Sequence, residues 1–262
     1  MRILITGAGR AIGAATAVEL ARAGHEVVAT ARETALLEPL PVARRLELDV
    51  TDAASIRRAL DRAGELDAIV NNAAVSEKGP LESFPLSRLR AVLETNTLGP
   101  LAVLQAVLPG WRVRGSGVVV NVSSVQGRVA TPLEGPYCAS KHALEALSET
   151  LHYELGHFGI RVVLIEPGYI APGMKSTDGV RGDDAYRPLW DQWDGADGRL
   201  TGAAGRTDPT VVARAIRAAI EDPATPRRVP VGADARAVLE ARAHLTDEQF
   251  EAAMRQTLGV TW

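Results

Sequence analysis

Short apolar runs and longer mixed segments alternate along this chain. The runs at 3–6, 27–30, 45–48, 68–71, 118–122, 162–166 and 228–231 have the length and residue types of strands. Several are apolar at consecutive positions, as in Val118-Val119-Val120. That pattern suits strands covered on both faces, as in a parallel sheet. Between them, helical patterns fall at 11–23, 52–63, 86–113, 136–157 and 208–222, with Gly99-Pro100 a predicted break in the third. Strand alternating with helix predicts right-handed crossovers and an α/β fold. The expected architecture is a doubly wound parallel sheet of about seven strands with helices on both faces, one domain over 1–262.

Two segments depart from the alternation. Residues 171–207 are rich in Gly, Asp and Arg, hold Trp190 and Trp193, and read as a flap with a short helix. Residues 233–257 look helical and belong to a C-terminal helical extension over 233–262. Their apolar positions Val238, Leu239, Leu245, Phe250 and Met254 are placed to pack on the body or on a second subunit.

Composition narrows the function classes. An apolar fraction of 46% and a charged fraction of 23% are ordinary for a globular chain. A net charge of -3 argues against a nucleic-acid surface. The single cysteine, Cys138, excludes an internal disulfide and a cysteine-based zinc site. The five histidines show no ligand spacing, so no metal is expected. No apolar run approaches the roughly 20 residues of a membrane span. The chain opens directly into a strand and a glycine turn without a leader pattern. A cytoplasmic protein with no membrane partner is the expectation.

The charges hold one informative oddity. Of 29 basic residues only three are lysines, Lys78, Lys141 and Lys175. Lys141 stands four residues after Tyr137, so on a helix the two share a face. An ammonium beside a phenol favours the ionised phenol and makes it a proton donor for chemistry. A surface Tyr and Lys on a helix would show the same spacing.

The turn after the first strand reads Thr6-Gly7-Ala8-Gly9-Arg10-Ala11-Ile12-Gly13. Glycines between a strand and a helix allow the backbone to approach a diphosphate at the helix N-terminus, which makes the fold Rossmann-type. The common G-x-G-x-x-G spacing fails, because its last position falls on Ile12. Where an NAD site presents an acid after the second strand, this chain has Ala31 followed by Arg32. Arg32 and Arg10 together suit a ribose 2′-phosphate and favour NADP(H). Other polar candidates follow later strands: Asp49 and Val50, Asn71 to Ala74, Ser123 and Ser124, and Pro167, Gly168 and Ile170. All sit at the carboxyl ends of predicted parallel strands, where such sheets bind ligands.

As a set, TGAGRAIG at 6–13, DVTD at 49–52, NNAA at 71–74, TNTLG around Asn96, VNVSS at 120–124, YCASK at 137–141 and PGYI at 167–170 resemble the short-chain dehydrogenase/reductase family. The resemblance implies a catalytic tetrad of Asn96, Ser124, Tyr137 and Lys141. It implies a cofactor site built from Gly7, Gly9, Arg10, Ala11, Ile12, Gly13, Arg32, Asp49, Val50, Asn72, Ala73, Pro167, Gly168 and Ile170, with Tyr137 and Lys141. Tyr137 would exchange a proton with the substrate oxygen, Ser124 would hydrogen-bond it, Lys141 would hold the nicotinamide ribose, and Asn96 would anchor a water relay. Helices 99–113 and 136–157 would form the interface of a homodimer or homotetramer. Three positions depart from the family pattern: Ala11 and Ala74 replace glycines, and Pro172 replaces a threonine that contacts the carboxamide.

The expected activity is an NADP(H)-dependent interconversion of carbonyl and alcohol on a small, apolar or cyclic substrate. Val75, Ser124, Gln126, Tyr137, Tyr169, Trp190 and Trp193 are the candidate lining, and Lys175 and Arg181 are placed to meet an acidic group. A same-fold epimerase and a non-catalytic NADP-binding protein are the competing readings.

Overall fold

The computed structural model describes residues 1–174 and 179–262. Its strands are β1 (Arg2–Ile5), β2 (Glu26–Ala31), β3 (Arg44–Glu47), β4 (Ala68–Asn71), β5 (Gly117–Val122), β6 (Ile160–Pro167) and β7 (Arg228–Val231). They form one sheet in the order β3-β2-β1-β4-β5-β6-β7, every neighbouring pair parallel. The chain order reverses between β1 and β4, which opens a crevice at their carboxyl ends.

Alternate residues of each strand feed opposite cores, which explains runs apolar at every position. Ile3 and Ile5 join one cluster while Leu4 joins the other. The first core is covered by α1 (Ala11–Arg22) and α8 (Pro209–Glu221). The second lies under α2 (Ala53–Ala63), α4 (Gly99–Arg114) and α5 (Gly135–Gly156), with Ile56, Leu104, Trp111 and Leu155 buried there. The remaining helices are α3 (Leu86–Leu93), α6 (Arg187–Trp193), α7 (Ala196–Thr201), α9 (Ala233–His244) and α10 (Asp247–Leu258).

Three expectations need correction. The helix over 86–114 does not break at Gly99-Pro100; it loosens one turn earlier, into a π-helical turn at Glu94–Leu98. Pro100 falls in the first turn of α4, where its missing N–H is tolerated. A side chain at Gly99 would stand 2.8 Å from Val50 Cγ2, so the glycine lets α4 approach the end of β3. The same stretch is long and apolar enough to cross a membrane by length and composition, with a mean hydropathy of 1.3. Its Val103, Leu104 and Trp111, however, pack on the sheet. The C-terminal segment is two helices: Thr246 and Gln249 form a capping box that starts α10 after a break at Leu245. Val238 of α9 packs beside Val125 and Val129, so the extension covers the body just beyond Ser124. The flap holds two short helices, α6 and α7, instead of one.

The face that α5 turns inward mixes apolar and polar residues. Leu144 and Leu155 are buried, but Leu147 and Leu151 are only half-buried. Tyr137, Lys141, Glu145 and Ser148 take the interior positions between them.

Candidate active site

The crevice between β1 and β4 is closed at its base by side chains that tie the two strand ends together. Thr6 Oγ1 accepts from the backbone N–H groups of Asn72 and Ala73, each at 3.0 Å. Asn72 Nδ2 donates to the carbonyls of Thr6 and Gly7, at 3.0 and 2.9 Å. Asn72 therefore braces the glycine turn. Gly7 has φ +64, and a side chain there would stand 2.8 Å from Ala73 Cα. A side chain at Gly13 would collide with the Gly7 carbonyl. Ala11 takes φ +41, a left-handed conformation in which glycine carries less strain. The N-terminus of α1 has no side-chain cap and no acid in its first turn. Its N–H groups are thus open to an anion. Gly9 is packed against the Leu36 side chain.

Arg10 and Arg32 flank this turn. The Ala8 N–H donates to Thr30 O at 2.8 Å, which pins the glycine turn to the end of β2, where Ala31 is buried and Arg32 exposed. Neither guanidinium has a hydrogen-bond or ion-pair partner among the described residues. Asp49, beyond β3, accepts from the N–H and hydroxyl of Thr51 at 2.9 and 2.8 Å, and Val50 beside it is buried against Gly99. At the end of β6 the turn through Pro167, Gly168 and Ile170 is held by Asp234, whose Oδ2 accepts from Tyr169 N at 2.7 Å. Any side chain at Gly168 would strike that carboxylate. Asp234 escaped the sequence reading; the available signal was an acid in the first turn of a helix directly after a strand. Ile170 is buried, and Pro172 is exposed.

The four tetrad candidates meet at the end of β5. Ser124 Oγ accepts from Gln126 N at 3.1 Å, and its hydroxyl favours the ionised form of the Tyr137 phenol. Lys141 lies one turn further along α5, buried, with Nζ donating to Val122 O at 2.8 Å and standing 5.6 Å from the Tyr137 ring centre. Asn96, in the π turn, is also buried. Its Oδ1 accepts from Val75 N at 2.8 Å, and its Nδ2 donates to Val75 O at 2.8 Å and Ser140 Oγ at 3.0 Å. Ser140 Oγ in turn donates to Tyr137 O at 2.7 Å. The Asn96 amide is thereby spent on fixing the helix turn that carries Tyr137 and Lys141. A water relay would have to use its backbone.

Electrostatics correct one expectation. Burial pushes the Tyr137 phenol above its ordinary range, the Ser124 hydrogen bond opposes this, and the charge of Glu134 adds to it. The lysine does not reverse the sign: its ammonium is drawn to the Val122 carbonyl, and desolvation dominates. Lys141 itself is lowered to about 8 by burial, with Glu145 opposing. At neutral pH the phenol is protonated and the lysine is the group closer to titrating.

On the substrate side, Gln126 Nε2 donates to Thr131 Oγ1 at 2.6 Å and to Glu134 Oε2. Glu134 is buried three residues before Tyr137, and its other oxygen pairs with Lys78 Nζ at 2.9 Å. The sequence reading missed this cluster, for which the scarcity of lysine was the signal. Trp190 and Trp193 are buried with Leu133, Leu189, Leu258 and Val260, so both pack the flap onto the body. Trp190 Nε1 donates to Arg181 O at 3.1 Å, and the Arg181 guanidinium lies 4.8 Å from the Trp190 ring centre. Val75 and Tyr169 are half-buried beside the strand ends. Lys175 lies outside the described residues.

Comparison with known proteins follows the same outline. Residues 1–180 match the family model described as short chain dehydrogenase. The chain is 38% identical over 187 residues to the uncharacterized oxidoreductase YusZ of Bacillus subtilis, covering 66% of each chain. It is 37% identical to a 3-ketodihydrosphingosine reductase of Bacteroides thetaiotaomicron, over 67% of this chain and 66% of that one. With estradiol 17-beta-dehydrogenase 1 of Rattus norvegicus it shares 41% identity over 64% of its length, which spans 54% of the rat protein. In structure it resembles a short-chain dehydrogenase from Streptomyces avermitilis, with a TM-score of 0.83, 32% identity, and coverage of 100% of this chain and 99% of that one. A short chain dehydrogenase from Burkholderia cenocepacia in complex with NADP gives a TM-score of 0.76 at 26% identity, over 98% and 96%.

Proposed function

The chain belongs to the short-chain dehydrogenase family of oxidoreductases, and from that premise we propose that it is an NADP(H)-dependent enzyme interconverting a carbonyl and an alcohol, with Tyr137 as general acid and base. One observation carries the reading. Tyr137, at the end of β5 with Ser124, stands one helical turn from a buried lysine at the carboxyl ends of the strands, where the glycine turn also lies.

The residues present fit the phosphorylated dinucleotide. The uncapped N-terminus of α1 is suited to the diphosphate, and Gly7 and Gly13 leave no room for a side chain in the turn. Arg10 and Arg32, exposed and without a partner among the described residues, are suited to the 2′-phosphate. The buried Ala31 offers no carboxylate to a 2′-hydroxyl. The bound dinucleotide would supply or accept the hydride.

The chain's own part is proton handling and aim. Gln126 N–H fills one lone pair of Ser124 Oγ, which leaves the serine proton free to donate. A substrate oxygen placed between the Ser124 and Tyr137 hydroxyls accepts from both. Because burial keeps the phenol protonated, the acid needed for reduction is ready at neutral pH. Asn96, through Ser140, keeps the turn bearing Tyr137 and Lys141 in register.

Relatives named for a ketodihydrosphingosine and for estradiol support a substrate whose reacting oxygen sits on a largely apolar body. The test is a turnover screen of ketones and secondary alcohols with both dinucleotides. Tyr137→Phe is expected to lose ~10²–10⁴ in kcat while NADPH affinity stays unchanged. Retained turnover would defeat the tyrosine's role. Substrate conversion without net cofactor change would point instead to an epimerase.

A further inference from the structure

The inward face of α5 carries a charge problem that the tetrad alone does not solve. Lys141 is 2% exposed. An ammonium taken out of water is costly unless an opposite charge faces it. Tyr137 is neutral at neutral pH, and the Val122 carbonyl supplies one hydrogen bond but no charge.

One turn further on the same face lies Glu145, 4% exposed. Its Oε2 accepts from Arg228 Nε at 2.9 Å, while Oε1 is buried without a hydrogen-bond partner among the described residues. Gly127 lies between the two residues. A side chain there would stand 2.9 Å from Glu145 Cγ, 3.3 Å from Lys141 O and 2.7 Å from Ser123 Oγ, itself a buried hydroxyl without a partner among the described residues. Only a glycine lets these groups close up.

We propose that Glu145 is a positioning residue that holds the charge on Lys141: its carboxylate, buried one helical turn beyond the lysine with one oxygen uncommitted, is the counter-ion of the catalytic ammonium. The inference deepens the proposed function and rests on Lys141 belonging to the active site.

The surrounding charges leave this task to Glu145. Glu166 on β6 is buried and is shared between Arg128 and Arg228, each at 3.5 Å. Burial and the neighbouring Glu145 raise it to about 7. Glu149 on α5 pairs with Arg227 and Arg228, each at 3.1 Å. Four cations, Lys141, Arg128, Arg227 and Arg228, thus face three acids. Losing Glu145 removes the one acid that opposes the desolvation of Lys141.

Because the chain has only three lysines, Lys141 can be watched directly in the full-length protein. Lysine labelled with carbon-13 at Cε gives three side-chain signals, assigned with Lys78→Arg and Lys175→Arg. In the parent protein the Lys141 signal should titrate at about 8. In Glu145→Gln the midpoint should fall by about one unit or more. In Glu166→Gln it should stay in place. An unmoved midpoint in Glu145→Gln, or an equal fall in Glu166→Gln, overturns the assignment. Should Glu145→Gln not fold, the same change made in an Arg228→Gln background should lower the midpoint relative to Arg228→Gln alone; no fall there overturns it equally.

The titration needs neither substrate nor cofactor, so it is independent of turnover. The alkaline limb of the kcat–pH profile should move down with the lysine signal. If the signal moves and the limb does not, Glu145 keeps its assignment and the catalytic role of Lys141 fails.

Discussion

Replacing Arg32 with alanine tests the cofactor assignment most directly. Arg32 follows the buried Ala31 at the carboxyl end of β2, and Arg10 precedes α1 on the adjoining turn. The Ala8–Thr30 hydrogen bond of 2.8 Å holds these two segments side by side. Both guanidinium groups are exposed, so the gain from binding a phosphate is set against water and screening. Hydrogen bonds to charged groups contribute about 1.5–3 kcal/mol, and an exposed site belongs at the lower end. At about 1.4 kcal/mol per factor of ten, Arg32→Ala should weaken NADPH binding roughly tenfold. NADH lacks the 2′-phosphate and should bind as before. Arg10→Ala should act in the same sense. The double variant should lose less than the product of the two losses if both arginines share one phosphate. Titration calorimetry with NADPH and NADH at two salt concentrations reads all of this. An unchanged affinity ratio, or an equal loss for both dinucleotides, would refute the 2′-phosphate assignment.

Two further outcomes are expected. Ala11→Gly should raise stability by ~0.5–1 kcal/mol, because the left-handed strain of roughly 1–2 kcal/mol outweighs the ~0.4–1 kcal/mol of chain entropy added to the unfolded state; a lower urea midpoint would contradict this. Glu166, raised from 4.5 to about 7 in the folded protein, contributes stability that is full below 4.5 and lost as pH rises through 7. Glu166→Gln should therefore flatten the stability–pH curve over that window, and equal slopes in parent and variant would rule the carboxyl out as its source.

What was legible in the sequence is what depends on near neighbours. The Tyr137–Lys141 spacing needs only a helix, and the turn at 6–13 needs only a strand followed by a helix. The parallel sheet follows from runs such as 118–122, since apolar residues on both faces require cover on both faces. Contacts between distant segments were not legible. Asp234 reaches Tyr169 across 65 positions, and Glu134 meets Lys78 from another strand end. Trp190 and Trp193 show a related limit: a large aromatic signals burial, but only the fold decides whether it lines a pocket or closes a seam.

The sign of the tyrosine shift has the same origin. A sequence shows that an ammonium neighbours a phenol, and that neighbour alone predicts a more acidic phenol. Burial acts on both groups at once, raising the one and lowering the other, and its cost grows with depth. For Tyr137 desolvation wins, so its proton is secure and needs no helper at neutral pH. For Lys141 the contest is close, because burial brings it to about 8 with Glu145 pulling the other way. The charge on the lysine is therefore the adjustable quantity of this site. It is set from the next turn of α5, by Glu145, an acid that the fold buries.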